Sequence, residues 1–149
     1  EASGSAFYRI VKERINAGEA STVKTDHNGD FTFQDLIDAV NNEDSLCIDV
    51  VDSIGHKLGL QISALINIFN PEMLVIGGEL STTGDYLLRP IQMGIKKHSL
   101  NKVSEDSIIA LSSLTDCAGL VGACLTARSR YLHIDNYPSH PKQRPTHST

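Results

Sequence analysis

Two adjacent glycines at the end of a short apolar run are the residues of this sequence whose type and position best suit ligand binding. The run spans residues 73–76, follows an Asn70-Pro71 pair and ends on Gly77 and Gly78. An apolar run bounded by turn residues predicts a strand of a parallel sheet that is buried on both faces. Ligands bind at the carboxyl edge of such sheets, and glycine lets backbone lie directly against a flat base or a phosphate.

A second glycine pair, Gly119 and Gly122, would let a later helix approach a ligand or a neighbouring helix closely. A helix predicted to begin near residue 83 would add N–H groups that favour anions. The spacing alone leaves two interpretations open. One is a nucleotide pocket, and the other is a tight turn combined with close helix packing.

Helical periodicity predicts the elements that precede these glycines. One helix is expected over residues 5–17, and a second, short helix is capped by Thr32 with Asp35 as its reciprocal partner. Each is short and amphipathic.

The longest predicted helix runs from residue 45 to residue 70, with Ser45 as its cap. Gly55 and Gly59 form a small-residue face on which another backbone can approach closely. From Leu58 onward the helix is apolar nearly all round, which predicts burial on every side.

The rest of the chain alternates between helix and strand. A helix is predicted over 84–98, a strand over 107–111 and a last helix over 115–132, which gives an α/β layer with parallel strands across 45–132. Residues 133–149, rich in proline and histidine, are expected to be a disordered tail.

Composition limits the function classes. The 149 residues carry a formal charge of −5, which disfavours direct nucleic-acid binding, and they contain no run long and apolar enough to cross a membrane. Cys47, Cys117 and Cys124 show no CxxC spacing, so we predict reduced, buried thiols in a cytoplasmic protein. The chain does not begin with Met, and we expect it to be a piece of a longer protein.

Longer stretches resemble a known family. "LINIFNPEMLVIGGELSTTGDYLLRPI", followed by "AGLVGACLTARS", resembles the second half of the ROK family of repressors and sugar kinases. "EASGSA" at the start resembles the segment that follows the family's cysteine-rich zinc loop. The resemblance covers about residues 2–132.

The resemblance implies a fold and a site. The fold class is α/β, with this chain as the C-terminal lobe of an actin-like, ribonuclease-H-like ATPase fold whose helices pack on a short, mostly parallel sheet. Gly77 and Gly78 would lie against the adenosine part of ATP, and Gly119 would border the same region. The family's phosphate loop, catalytic aspartate, sugar ligands and zinc cysteines would all precede Glu1. No catalytic residue, metal ligand or resident cofactor is therefore assigned to this chain.

Two departures from the kinase pattern favour the repressor branch. Residues 114–117 read Leu-Thr-Asp-Cys where the kinases have a Leu-Gly-Asp type of sequence, and Glu79 follows the glycines instead of a third glycine. The predicted function is the sugar-sensing lobe of a transcriptional regulator. Its partners would be a sugar or sugar phosphate, DNA through an N-terminal domain outside this chain, and a second copy in a homo-oligomer, with no membrane. The alternative is the C-terminal lobe of a glucokinase-like enzyme that uses ATP.

Overall fold

The computed structural model describes residues 4–26, 29–98, 107–114 and 117–132, and it contains two compact units, Glu1–Asp116 and Cys117–Thr149. The elements of the first unit are α1 (Gly4–Asn16), α2 (Phe33–Asn41), α3 (Ser45–Phe69), β1 (Met73–Ile76), a 3-10 helix (Glu79–Thr83), α4 (Asp85–His98) and β2 (Ile108–Leu111). The second unit contains α5 (Ala118–Leu132). The order predicted from the sequence is confirmed, whereas the tail predicted over 133–149 lies outside the described residues.

Side-chain caps begin α2 and α3. In α2 the Asp35 N–H donates to Thr32 Oγ1 at 3.2 Å and the Thr32 N–H donates to Asp35 Oδ2 at 2.7 Å, so the predicted capping box is confirmed. The cap of α3 is Asp44 and not Ser45, and its Oδ1 accepts from the Cys47 N–H at 2.9 Å. Asp44 has the extended backbone that a cap requires, whereas Ser45 is already helical.

Glycines bring α3 and α4 into close contact. A Cβ built on Gly59 would overlap the carbonyl oxygen of Ile91 and would lie 2.9 Å from the Cα of Gly94. A Cβ built on Gly55 would lie 2.7 Å from Cγ of Pro90. The predicted close approach of another backbone is thus confirmed, and α4 supplies that backbone.

The sheet consists of two parallel strands that are neighbours in space, and α4 belongs to the segment that connects them in sequence. The register pairs Met73 with Ile108 and Ile76 with Leu111. The side chains of one face pack on the helical core: Leu74, Ile76, Ile109 and Leu111. The other face is open, with Met73, Val75 and Ile108 each more than half exposed. Burial of β1 on both faces was therefore a wrong prediction, because the elements described here cover one face.

The second half of α3 is also buried on one side only. Ile62 and Ile66 lie in the core, but Leu65 is 46% exposed and Ile68 and Phe69 are more than 70% exposed. The prediction of burial on every side was wrong. The helices α1, α2 and α4 pack around the first part of α3 and leave the outer side of its last turns uncovered.

The three cysteines are free, but only Cys47 is buried, and Cys117 and Cys124 are exposed. The prediction of buried thiols is confirmed for one cysteine of three, because α5 is the one element of the second unit among the residues that the structure describes. Within the described ranges, no helix has both the length and the apolar character that crossing a membrane would require.

Candidate ligand-binding site

Gly77 and Gly78, the double-glycine turn, follow β1 directly and are exposed. The neighbouring strand ends at the same level, where the Ser112 N–H donates to the carbonyl of Ile76 at 2.7 Å. A Cβ built on Gly77 would lie 3.7 Å from the Cβ of Ser112, an ordinary contact. The turn therefore lies at the carboxyl edge of a parallel sheet, as the sequence predicts, with its backbone open to solvent.

Gly78 has a conformation that other residues rarely adopt. Its φ of +99° lies in the region that favours glycine, and its carbonyl accepts from both the N–H and the hydroxyl of Ser81, at 2.9 and 2.6 Å. The Ser81 hydroxyl also lies 3.4 Å from the Ser112 carbonyl oxygen. Ser81 thus closes the turn and lies next to the end of the neighbouring strand. Sequence reasoning missed this residue, although a serine three residues after a turn glycine is the available signal.

The 3-10 helix holds the turn against the core. Leu80 packs in the core, Thr83 is 2% exposed, and the Thr83 hydroxyl donates to the Leu80 carbonyl at 2.8 Å. Gly84, with φ of +58°, ends the segment and leads into α4. A ligand on the double-glycine turn would therefore meet backbone that is already ordered, which lowers the entropic cost of binding.

Carboxylates are present at the starts of both helices that follow the turn. Glu79 begins the 3-10 helix and Asp85 begins α4, where its Oδ2 accepts from Arg89 Nη2 at 2.9 Å. The helix start predicted near residue 83 is thus at Asp85. Because negative side chains already stabilise the positive ends of helices, these starts are less suited to a phosphate than the sequence indicates.

A groove of about 400 Å³ lies between α3 and the first turn of α4. It is lined by Ile48, Asp52, Asp85, Tyr86, Arg89 and Pro90. Its polar lining contains two carboxylates: Asp85 forms an ion pair with Arg89, and Asp52 Oδ2 lies 3.2 Å from Nδ1 of His56. The groove is a surface depression next to α4 and does not include the double-glycine turn.

Gly119 lies in the first turn of α5, in the second unit. Its predicted place beside Gly77 and Gly78 stays a prediction. In the part of the chain that the structure describes, no three His, Cys, Asp or Glu side chains are grouped as a metal site. The geometry accordingly offers an exposed backbone surface for a ligand at the double-glycine turn.

Comparison with known proteins shows to which family a chain with this fold belongs. The model of the ROK family matches residues 1–130. The chain belongs to the ROK family.

Members of two functional classes are similar to the chain. It is 33% identical, over 81% of its length, to a glucokinase of Halalkalibacterium halodurans, of which the match covers 37%. A solved ROK family transcriptional regulator, a homologue of the Escherichia coli Mlc protein, is 32% identical with a TM-score of 0.67 over 73% of this chain and 27% of the regulator. A solved ROK family glucokinase from Streptomyces griseus, in complex with glucose and AMPPNP, shares the fold with a TM-score of 0.69 at 24% identity, over 85% of this chain and 43% of the enzyme.

The chain thus spans between about a quarter and two fifths of the length of these proteins. Its own fold is α/β, the C-terminal lobe of an actin-like, ribonuclease-H-like fold with helices on a short parallel sheet. The family and the fold are common to repressors and kinases, so neither of them decides between these two functions.

Proposed function

We propose that this chain is the sugar-sensing lobe of a ROK-type transcriptional regulator. The observation that carries the proposal is Glu79, an exposed carboxylate that follows the double-glycine turn directly and begins the 3-10 helix. In kinases of the family, by the resemblance described above, the residue after the two glycines is a third glycine. This lobe has a charged side chain in its place.

The charge acts against a nucleotide. ATP carries several negative charges, and a carboxylate within about 8 Å of a phosphate in water-like surroundings raises the binding free energy by roughly 0.5 kcal/mol for each charge pair. A sugar carries no such charge, and carboxylates accept hydrogen bonds from its hydroxyls. Repulsion therefore falls most strongly on ATP, acts less on a sugar phosphate with its smaller charge, and spares a neutral sugar.

The proposed partners follow from that role. The ligand is a sugar or sugar phosphate bound between this lobe and one that precedes it, and DNA is bound by an N-terminal domain outside this chain. The formal charge of −5 supports an indirect role in DNA binding. We also propose a cytoplasmic homo-oligomer, since repressors that read symmetric sites act as dimers.

The similarity to the Halalkalibacterium halodurans glucokinase favours one alternative, a sugar kinase. In that case Gly77 and Gly78 would lie against the adenosine of ATP, and Gly119 would border the same region. The catalytic aspartate and the zinc ligands would belong to a preceding lobe. Phosphoryl transfer needs a base and a metal-phosphate cradle, so this lobe would supply one wall of the cleft.

Titration of the chain with AMPPNP, followed by the amide NMR signals of Gly77 and Gly78, tests the role of Glu79. We expect wild-type signals to shift only at millimolar concentrations, and Glu79→Gln to bind about threefold to tenfold more tightly because it removes the repulsion. Glu72→Gln, which removes an exposed carboxylate before β1, is the matched control and should bind as the wild type does. Wild-type saturation below about 0.1 mM would support the kinase instead.

A longer protein that contains this lobe provides the second test. Fluorescence anisotropy with its operator DNA should show that glucose or N-acetylglucosamine changes the DNA affinity. A coupled assay with either sugar and ATP should show no turnover. Sustained sugar phosphorylation would contradict the regulator and establish the kinase.

A further inference from the structure

We propose that Glu79 is also a positioning residue, which fastens the start of α1 to the double-glycine turn. A Cβ built on Gly4, the first residue of α1, would lie 3.5 Å from Oε2 of Glu79. The carboxylate therefore reaches across to a helix that begins 75 residues earlier in the sequence. It joins the N-terminal part of the fold to the segment that leaves the turn.

The charges at this contact are complementary. The first turn of a helix presents backbone N–H groups and a partial positive charge. The first turn of α1 contains no acidic residue of its own. Glu79 supplies the negative group from another element, so its charge stabilises α1 while its backbone continues the turn.

Both sides of the contact are fixed by packing. On the α1 side, the same built Cβ on Gly4 would lie 3.0 Å from Cε2 of Phe33, whose ring stands edge-on to that of Phe7 with centroids 5.9 Å apart. Phe7 is fully buried. A side chain larger than hydrogen at position 4 would therefore push on the Phe33 ring and separate α1 from Glu79.

On the turn side, Glu79 lies between Gly78 and the buried Leu80. Its backbone has little freedom because Leu80 packs in the core. A shift of α1 would consequently be transmitted to the double-glycine turn through one side chain, and a shift of the turn would reach α1 by the same route. The inference depends on this geometry and holds for either function proposed above.

Amide hydrogen exchange of the 149-residue chain without ligand tests the contact. In Glu79→Gln and Glu79→Ala, we expect exchange in the first turn of α1 and in residues 77–83 to be about two- to fivefold faster, the range of a charge–helix interaction. The amides around Ile54 in α3 should exchange as in the wild type. Glu72→Gln, which also removes an exposed carboxylate, is the control and should change exchange in neither segment.

Two further readings make the test decisive. Glu79→Gln keeps the shape of the side chain and an acceptor oxygen but removes the charge. If 0.5 M NaCl abolishes the difference in amide exchange between this variant and the wild type, charge is the cause of that difference. Exchange in Glu79→Gln equal to that of the wild type would overturn the proposal. Equal acceleration throughout α3 would also overturn it, because it would indicate global destabilisation and not a local fastening.

Discussion

Asp44 joins the segment that follows α1 to the start of α3. It is 4% exposed, and its Oδ2 accepts from the hydroxyl of Ser21 at 3.0 Å, from the hydroxyl of Thr22 at 2.9 Å and from the N–H of Thr22. Its Oδ1 caps α3 through the Cys47 N–H. Burial and the nearby Asp44 charge raise the pKa of the Cys47 thiol to about 12, so this cysteine stays protonated and serves as a core residue.

Replacement of Asp44 should destabilise the fold. Asp44→Ala removes the cap of α3 and leaves the groups of Ser21 and Thr22 without their acceptor, so we expect the free energy of unfolding to fall by about 1–3 kcal/mol in urea titrations. Asp49→Ala is the matched control, because Asp49 is an exposed carboxylate in the same region whose nearest ion-pair distance is 3.9 Å. It should change stability by less than about 0.5 kcal/mol. Equal effects of the two variants would contradict the role given to Asp44.

The same carboxylate should make stability depend on pH. Burial alone would raise the pKa of Asp44, but the hydrogen bonds from Thr22, Cys47 and Ser21 outweigh it and lower the pKa to about 2. A lowered pKa in the folded state means that the stabilisation is complete above the unfolded value near 4 and is lost as the pH falls towards 2. Urea unfolding from pH 6 to pH 2.5 should show a loss of about 2 kcal/mol that Asp44→Asn lacks. Parallel curves for the two proteins would exclude Asp44 as the cause.

At the scale of the elements, the close packing of α3 on α4 requires glycine, which has only a hydrogen atom where other residues have a side chain. Gly59→Ala would force a methyl group into the Ile91 carbonyl, and we expect it to lower the free energy of unfolding by about 1–3 kcal/mol. This sign is opposite to the usual gain when a helical glycine becomes alanine. Gly122→Ala, in α5, is the control because its added Cβ would meet nothing within 4 Å. Chemical denaturation of both variants checks the prediction, and a Gly59→Ala protein as stable as the wild type would contradict the close crossing.

The elements also show which features a sequence reveals. The capping box of Thr32 and Asp35 and the small face of Gly55 and Gly59 are local patterns, and both are confirmed. Local patterns could not show that Asp44, and not Ser45, caps α3, because two neighbouring residues of the same capping class differ only in backbone conformation.

Features that depend on distant residues were the ones the sequence could not predict. The apolar run of β1 is typical of a strand covered on both faces, but coverage depends on which elements pack on it, and one face is open. In the candidate site, the two glycines and their strand were predictable. The hydroxyl of Ser81 near Ser112 and the contact of Glu79 with Gly4 join residues 31 and 75 positions apart, which no local period connects.

At the scale of the whole molecule, the packing of the described elements leaves two apolar surfaces uncovered. The end of α3 exposes Leu65, Ile68 and Phe69, and the open face of the sheet exposes Met73, Val75 and Ile108. Apolar side chains in such numbers on neighbouring elements are typical of surfaces that another protein covers. Burial of apolar area contributes about 25 cal/mol per Å², which favours contact between copies and offsets the entropy lost on association.

We therefore predict that the 149-residue chain self-associates as its concentration rises. Ile68→Ser combined with Phe69→Ser should lower the average mass measured by multi-angle light scattering, and it should leave unfolding nearly unchanged because both side chains are more than 70% exposed. Met93→Ser is the control, since Met93 is 63% exposed on α4 and its loss removes exposed apolar surface away from the end of α3. A wild-type chain that remains monomeric at high concentration would contradict the prediction. An equal decrease in mass for Met93→Ser would show that general hydrophobicity, and not the end of α3, causes the association.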